Sequence, residues 1–214
     1  MPKIINKVIK NLILSDIFLL TGLGFVAPIF AIFLSEHIKG GNVEVAGFAA
    51  AAYWIVHSLT MIPIGKFLDK NHGEKDDLWF IILGNILAAF AVFGYFFAEY
   101  PRHIYFLQGL YGLGMAMNMA GYTAIFTRHI DKQKESYEWS VRGACVGMGG
   151  GVAGAVGGWV AYHFGFEFLF TGIIVFILIS AVLPIFILKE MKPWDKKEPI
   201  YPEIKSTAPL APKE

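Results

Sequence analysis

Six long apolar runs succeed one another along the chain, at residues 12–35, 43–64, 78–98, 104–127, 143–162 and 168–188. Each holds 20 to 24 residues, and crossing a hydrocarbon core of about 30 Å takes roughly 20 helical residues. Charge is almost confined to the intervals between them. Within the runs stand only two carboxylates, Asp16 well inside the first and Glu44 at the edge of the second. The pattern predicts an all-α membrane protein with six transmembrane helices in one bundle, residues 1–188. Residues 189–214 carry Pro193, Pro199, Pro202, Pro209 and Pro212 among many charges, and read as a disordered cytoplasmic tail. Trp194 and Tyr201 are its only side chains suited to lipid headgroups.

Composition agrees. The chain is 56% hydrophobic and 16% charged, where a soluble domain carries about a quarter charged residues. Basic residues set the orientation. With the N-terminus in the cytoplasm, 16 Lys and Arg lie inside and only Lys39 and Arg102 outside. Both termini are therefore expected in the cytoplasm, with the plasma membrane of a prokaryote as the setting. The first run is too long for a signal-peptide core and is expected to stay. A net charge of +1 gives no basic surface for nucleic acid.

The chain also repeats itself. Leu20-Thr21-Gly22-Leu23-Gly24 in the first run matches Leu110-Tyr111-Gly112-Leu113-Gly114 in the fourth, at an offset of 90. Gly65 and Gly73 match Gly157 and Gly165 at an offset of 92, with an aromatic residue two after the first glycine in each pair. Three helices per unit place the second unit upside down, a 3+3 inverted repeat of the kind secondary transporters use.

These residues resemble one six-helix half of the major facilitator superfamily. Gly65, Asp69 and Lys70 after the second run are similar to its cytoplasmic gating motif, although Gly73 comes one residue late and Glu74 replaces a basic residue. The glycines of residues 149–158 look like the fifth-helix motif of its drug–proton antiporters, with Gly154 in place of proline. The resemblance implies alternating access between two such halves, with helices 1 and 4 lining the cavity and helices 2 and 5 in contact across the two-fold axis. A homodimer is the simplest way to supply the second half; a heterodimer with another half-length chain and an inactive truncated product are the rivals.

Candidate contacts with a solute follow from helical spacing. Gln108, Tyr111, Met115, Asn118 and Tyr122 recur at intervals of 3, 4, 3 and 4, and so share one face. Tyr53, His57 and Thr60 share a face of the second helix. Either face serves a solute or hydrogen bonds within a static bundle. His57 lies about 13 Å from the span end at Lys66, and two roles fit it: a proton carrier, or a neutral imidazole bonded to a neighbouring helix. Asp16 is the competing proton site, or else an interfacial carboxylate reaching headgroups. Gly143, Gly147, Gly151, Gly154 and Gly158 form a smooth seam, suited to the partner's second helix in a homodimer or to another helix of the same chain.

Nothing resembles an enzyme's constellation. The other histidines, His37, His72, His103, His129 and His163, lie at span ends without ligand spacing, and Cys145 has no second cysteine. Neither metal nor cofactor is implied. The expected partners are the bilayer, protons, a small-molecule solute and a second copy of the chain. The polar set suits a neutral or weakly basic organic solute moved by proton antiport. A sugar-like solute taken up by symport, or a membrane scaffold that moves nothing, are the alternatives.

Overall fold

The computed structural model describes residues 5–71 and 73–191, and within them the chain is helical throughout. The expected tail beyond Met191, with Trp194 and Tyr201, lies outside the described residues, as do Lys3 and His72.

Helix α1 (Lys7–Gly24) starts at Asn6, whose side chain accepts from Ile9 N at 2.9 Å, a standard N-cap bond. Its axis breaks at Pro28, where a 3₁₀ turn (Ala27–Ile29) leads into α2 (Phe30–His37). Helix α3 (Val43–Asn71) is capped by Asn42, which accepts from Val45 N. Helix α4 (Lys75–Gly94) carries Asp76 and Asp77 in its first turn, where the helix dipole favours carboxylates. Helix α5 (Pro101–His129) opens on Pro101, the position whose missing N–H costs nothing. Helix α6 (Glu135–Val182) continues into a 3₁₀ segment (Leu183–Glu190).

Four stretches are long and apolar enough to cross a membrane: Lys7–His37, Val43–Lys70, Lys75–Phe97 and Glu135–Glu190. The last holds two of the expected runs. At Gly165 the backbone leaves the helix with φ 83° and ψ 170°, a left-handed region that glycine enters cheaply. The order of contacts along α1 and α2 shows what happens there. In the first arm Arg142 meets Asp16, Gly150 meets Gly24 and Gly157 meets Phe25. In the second arm Phe170 meets Phe33, Phe176 meets Phe25 and Ser180 meets Ser15. The two arms therefore run in opposite directions, and α6 is a hairpin whose corner is one residue. The expected loop between residues 162 and 168 shrinks to that glycine.

Two apolar clusters fill the bundle. One, at the basic end, gathers Ile9, Leu12, Leu78, Ile81, Tyr122 and Phe126; the other, at the far end, gathers Phe33, Tyr95, Phe166, Phe170 and Ile173. Large apolar side chains also cover the outside: Phe48, Trp54, Ile55, Leu59 and Ile62 on α3 are all more than half exposed. Where helices meet, small residues replace them, as expected where lipid rather than water is the solvent. Gly24 of the first repeated segment lies against Gly150 and Ala153, and Gly112 of the second lies against the α3 backbone at Tyr53. Both copies of the motif thus mark a close helix crossing.

Between the two clusters runs a buried polar chain. Asn118 Nδ2 donates to Asn85 Oδ1 (2.8 Å), and Asn85 Nδ2 donates to Ser180 Oγ (3.0 Å). Ser15 Oγ donates to the Ser180 carbonyl (2.8 Å), which leaves it to accept from the Ser180 hydroxyl (3.0 Å). One chain of bonds thereby ties α5, α4, α6 and α1 together. Asn85→Ala removes its middle and strands Asn118 and Ser180 in an apolar interior. The expected loss is about 1 to 2 kcal/mol, measured by unfolding in mixed detergent micelles. A loss no larger than that of an exposed control on α3 would mean the chain contributes nothing to stability.

Candidate functional site

The residues expected on one face of α5 divide into three environments. Tyr111 joins an aromatic group with α3. Its ring lies 5.4 Å from that of Tyr53, which stacks on His57 at 5.7 Å and meets Trp54 edge-on at 5.0 Å. Gly112 makes this contact possible, because a β-carbon there would collide with the Tyr53 carbonyl. The Tyr111 hydroxyl is buried and has no hydrogen-bond partner among the described residues. Gln108 is half-buried one turn above it. Thr60 is not free to join them, since its hydroxyl donates to the Val56 carbonyl at 2.7 Å.

Asn118 is 5% exposed and held in the polar chain described above, so its amide faces neighbouring helices and not an open surface. Tyr122 lies deeper still, stacked on Phe126 with centroids 5.4 Å apart.

Beside Tyr122 is the group that spacing did not reveal. Arg142 Nη2 stands 2.6 Å from Asp16 Oδ2, joining the first arm of α6 to α1. The guanidinium also lies over the rings of Tyr122 (4.9 Å) and Trp139 (5.5 Å), a cation–π arrangement. The Asp16 side chain is 4% exposed and that of Arg142 18%. Two expectations change. Asp16 is no interfacial carboxylate, because α6 covers it. Arg142 is no freely exposed surface charge, since its side chain is only 18% exposed. The sequence held one clue: a carboxylate in mid-span needs a partner, and Arg142 is the cation at the start of an adjoining glycine-rich run.

The basic end carries further ion pairs. Asp77 of α4 pairs with Arg128 of α5, and Glu74 lies 3.1 Å from His129. Asn6 donates to the His129 carbonyl (2.6 Å) and to Asp131 (3.3 Å), and this bond holds the Asp131 carboxyl below its usual range. The gating motif sits differently from its expected place in a loop. Gly65, Asp69 and Lys70 belong to the last two turns of α3, which runs through Pro63 and Gly65 to Asn71. Asp69 and Lys70 are exposed and make no ion pair among the described residues; Glu74 and Asp77 make the pairs instead.

On α6 two glycine faces must be distinguished. Gly149, Gly150 and Gly157 pack against Thr21, Gly24 and Phe25 of the same chain. Gly143, Gly147, Gly151 and Gly158, four of the five residues of the expected seam, have nothing within 4 Å of where a β-carbon would stand. A β-carbon on the fifth, Gly154, would stand 3.7 Å from Pro28, so this glycine belongs partly to the chain's own packing. No group of three or more His, Cys, Asp or Glu among the described residues is placed to hold a metal ion.

A helical bundle with apolar exterior, polar seams and buried charge is the build of a multi-pass membrane protein. The sequence profile of the Major Facilitator Superfamily matches residues 12–213, and the chain belongs to that family. It is similar to multidrug resistance protein 2 of Bacillus subtilis (strain 168), with 27% identity over 194 residues, covering 89% of this chain and 46% of that protein. The chain spans about half the length of the curated relative it matches.

Proposed function

We propose that the protein is a secondary active transporter of a small neutral or weakly basic organic solute, working by proton antiport and alternating access. The observation that carries this reading is the pairing of Asp16 with Arg142. It neutralises the buried charges against each other and leaves an aromatic, uncharged hydrogen-bonding surface at Tyr53, His57, Gln108 and Tyr111 for the solute. The unpartnered Tyr111 hydroxyl supports it, because a buried donor in a membrane protein calls for a partner. The similarity to a protein named for multidrug resistance points the same way.

In this reading α5 is a span in its own right and α6 supplies two, giving six spans in a 3+3 inverted repeat with both termini in the cytoplasm. The second six-helix unit is a copy of the chain. The open seam of Gly143, Gly147 and Gly151 supports that pairing, facing Gly47, Ala50, Trp54 and Ser58 on the partner's α3. Protons move on His57 or Asp16. When Asp16 is neutralised by a proton, Arg142 loses its partner and the α1–α6 contact loosens, so protonation and conformation are coupled at one place.

Vesicle reconstitution tests this. The parent should move a lipophilic weak base against its gradient when a proton gradient is imposed. Asp16→Asn should retain exchange of the solute across the membrane but lose accumulation. If His57→Gln alone loses accumulation, the carrier is His57; if the parent accumulates solute independently of pH, proton coupling is wrong. Oxidative cross-links from Cys145 to cysteines introduced between residues 60 and 68 of another copy are expected, and a monomer by mass in mild detergent would reject the homodimer.

A further inference from the structure

At the end of the bundle away from the basic face, the junction of α4 and α5 carries an open surface depression of about 490 Å³. Its floor is the crossing of Gly94 with Leu107. Phe97 and Phe106 flank it, 68% and 71% exposed. Arg102 and His103 line its rim. The cleft is therefore apolar in its depth and cationic at its mouth.

The two basic residues at this end differ. Lys39 is neutralised by Glu99 at 2.8 Å. Arg102 is exposed, lies over the ring of Tyr100 at 5.4 Å, and has no carboxylate partner among the described residues. Next to it, His103 is fixed in one tautomer. Its Nδ1 accepts from the Glu99 backbone N–H at 3.2 Å, so the neutral ring carries its proton on Nε2 as a donor. The rim thus offers a guanidinium with a fork of donors and an imidazole N–H beside it, a combination suited to the tetrahedral oxygens of a phosphate. Tyr100, 41% exposed beside Arg102, is the kind of aromatic side chain that stands at the level of the headgroups.

We infer that this cleft is a binding site for a phospholipid of the leaflet opposite the basic end, with the phosphate on Arg102 and His103 and an acyl chain between Phe97 and Phe106. Charge complementarity selects this occupant. An unpaired arginine at headgroup depth beside an apolar trough meets an anionic head and its attached chain together, which neither a soluble anion nor a plain hydrocarbon supplies.

The purified protein in mild detergent is to be titrated with phosphatidylglycerol, with diacylglycerol of the same chains, and with inorganic phosphate. Native mass spectrometry counts bound lipid, and thermal unfolding reads its effect. Phosphatidylglycerol should bind and stabilise the parent. Arg102→Gln should lower its apparent affinity about tenfold, the scale of a lost charge-assisted hydrogen bond, and His103→Phe should lower it less. Lys66→Gln, at the other end, controls for general charge. Because Arg102 is exposed, its variant should unfold at the parent's temperature when no lipid is added. Equal binding by parent and Arg102→Gln overturns the proposal. So does equal binding of diacylglycerol, which would make the cleft a reader of chains alone. A full effect from inorganic phosphate would make it an ion site and not a lipid site.

Discussion

Arg142→Met should destabilise the protein by about 3 to 5 kcal/mol, the cost of leaving one member of a buried ion pair without the other. Asp16 is the member left behind, 4% exposed between α1 and α6. The double variant Asp16→Asn with Arg142→Met should recover much of that loss, because the pair itself is worth far less than its breakage. A double-mutant cycle by denaturant unfolding in mixed micelles measures the coupling. If the two single losses simply add, the pair seen here is not a working contact. Tyr122→Leu keeps the ion pair but removes the ring beneath the guanidinium, and because Tyr122 is 2% exposed and stacked on Phe126 its cost sums lost core packing and the cation–π contact.

That pair also marks where sequence reading runs out. The apolar runs announced themselves, because lipid imposes length and apolarity on each helix separately. The second and fourth runs begin within three residues of the helix starts at Val43 and Pro101. The end of α3 was not legible in this way, because the helix runs on through Pro63 and Gly65 to Asn71, past the end of the apolar stretch. Spacing along α5 grouped Tyr111, Asn118 and Tyr122 on one face, which the structure divides among different neighbours. It could not tell that Asn118 turns to Asn85 while Tyr111 turns to Tyr53, because that depends on which helices flank α5. Arg142 was counted among the surface charges of a connecting segment. Only the packing of α1 along α6 puts it beside Asp16.

The second large effect separates the two faces of α6. Gly157→Ala places a β-carbon within the van der Waals envelope of the Phe25 carbonyl, a backbone group that cannot swing away. Overpacking of this kind costs about 1 to 3 kcal/mol, and a bulkier residue should prevent folding. A β-carbon at Gly151, by contrast, meets nothing within 4 Å in its own chain, so Gly151→Leu should leave the monomer's stability within about 0.5 kcal/mol of the parent. If the open seam is the dimer contact, that same variant should lose cross-linking to a second copy and lose transport. Unfolding and cross-linking are to be measured on both variants. A Gly151→Leu protein that dimerises and transports normally would leave the seam facing lipid, and a stable Gly157→Ala protein would show that α1 and α6 can separate at that crossing.

The corner at Gly165 bears on how the protein meets bilayers of different thickness. A loop of several residues lets two neighbouring helices settle at their own depths; a corner of one residue does not. In the proposed six-span arrangement the two arms of α6 share a single vertical position, so a mismatch felt by one is passed to the other without slack. Thickening the membrane then cannot be absorbed by independent tilt. The strain falls on the contacts that hold each arm to α1, Arg142 with Asp16 on one side and Ser180 with Ser15 on the other, which makes lipid chain length a lever on the charged pair from outside the protein.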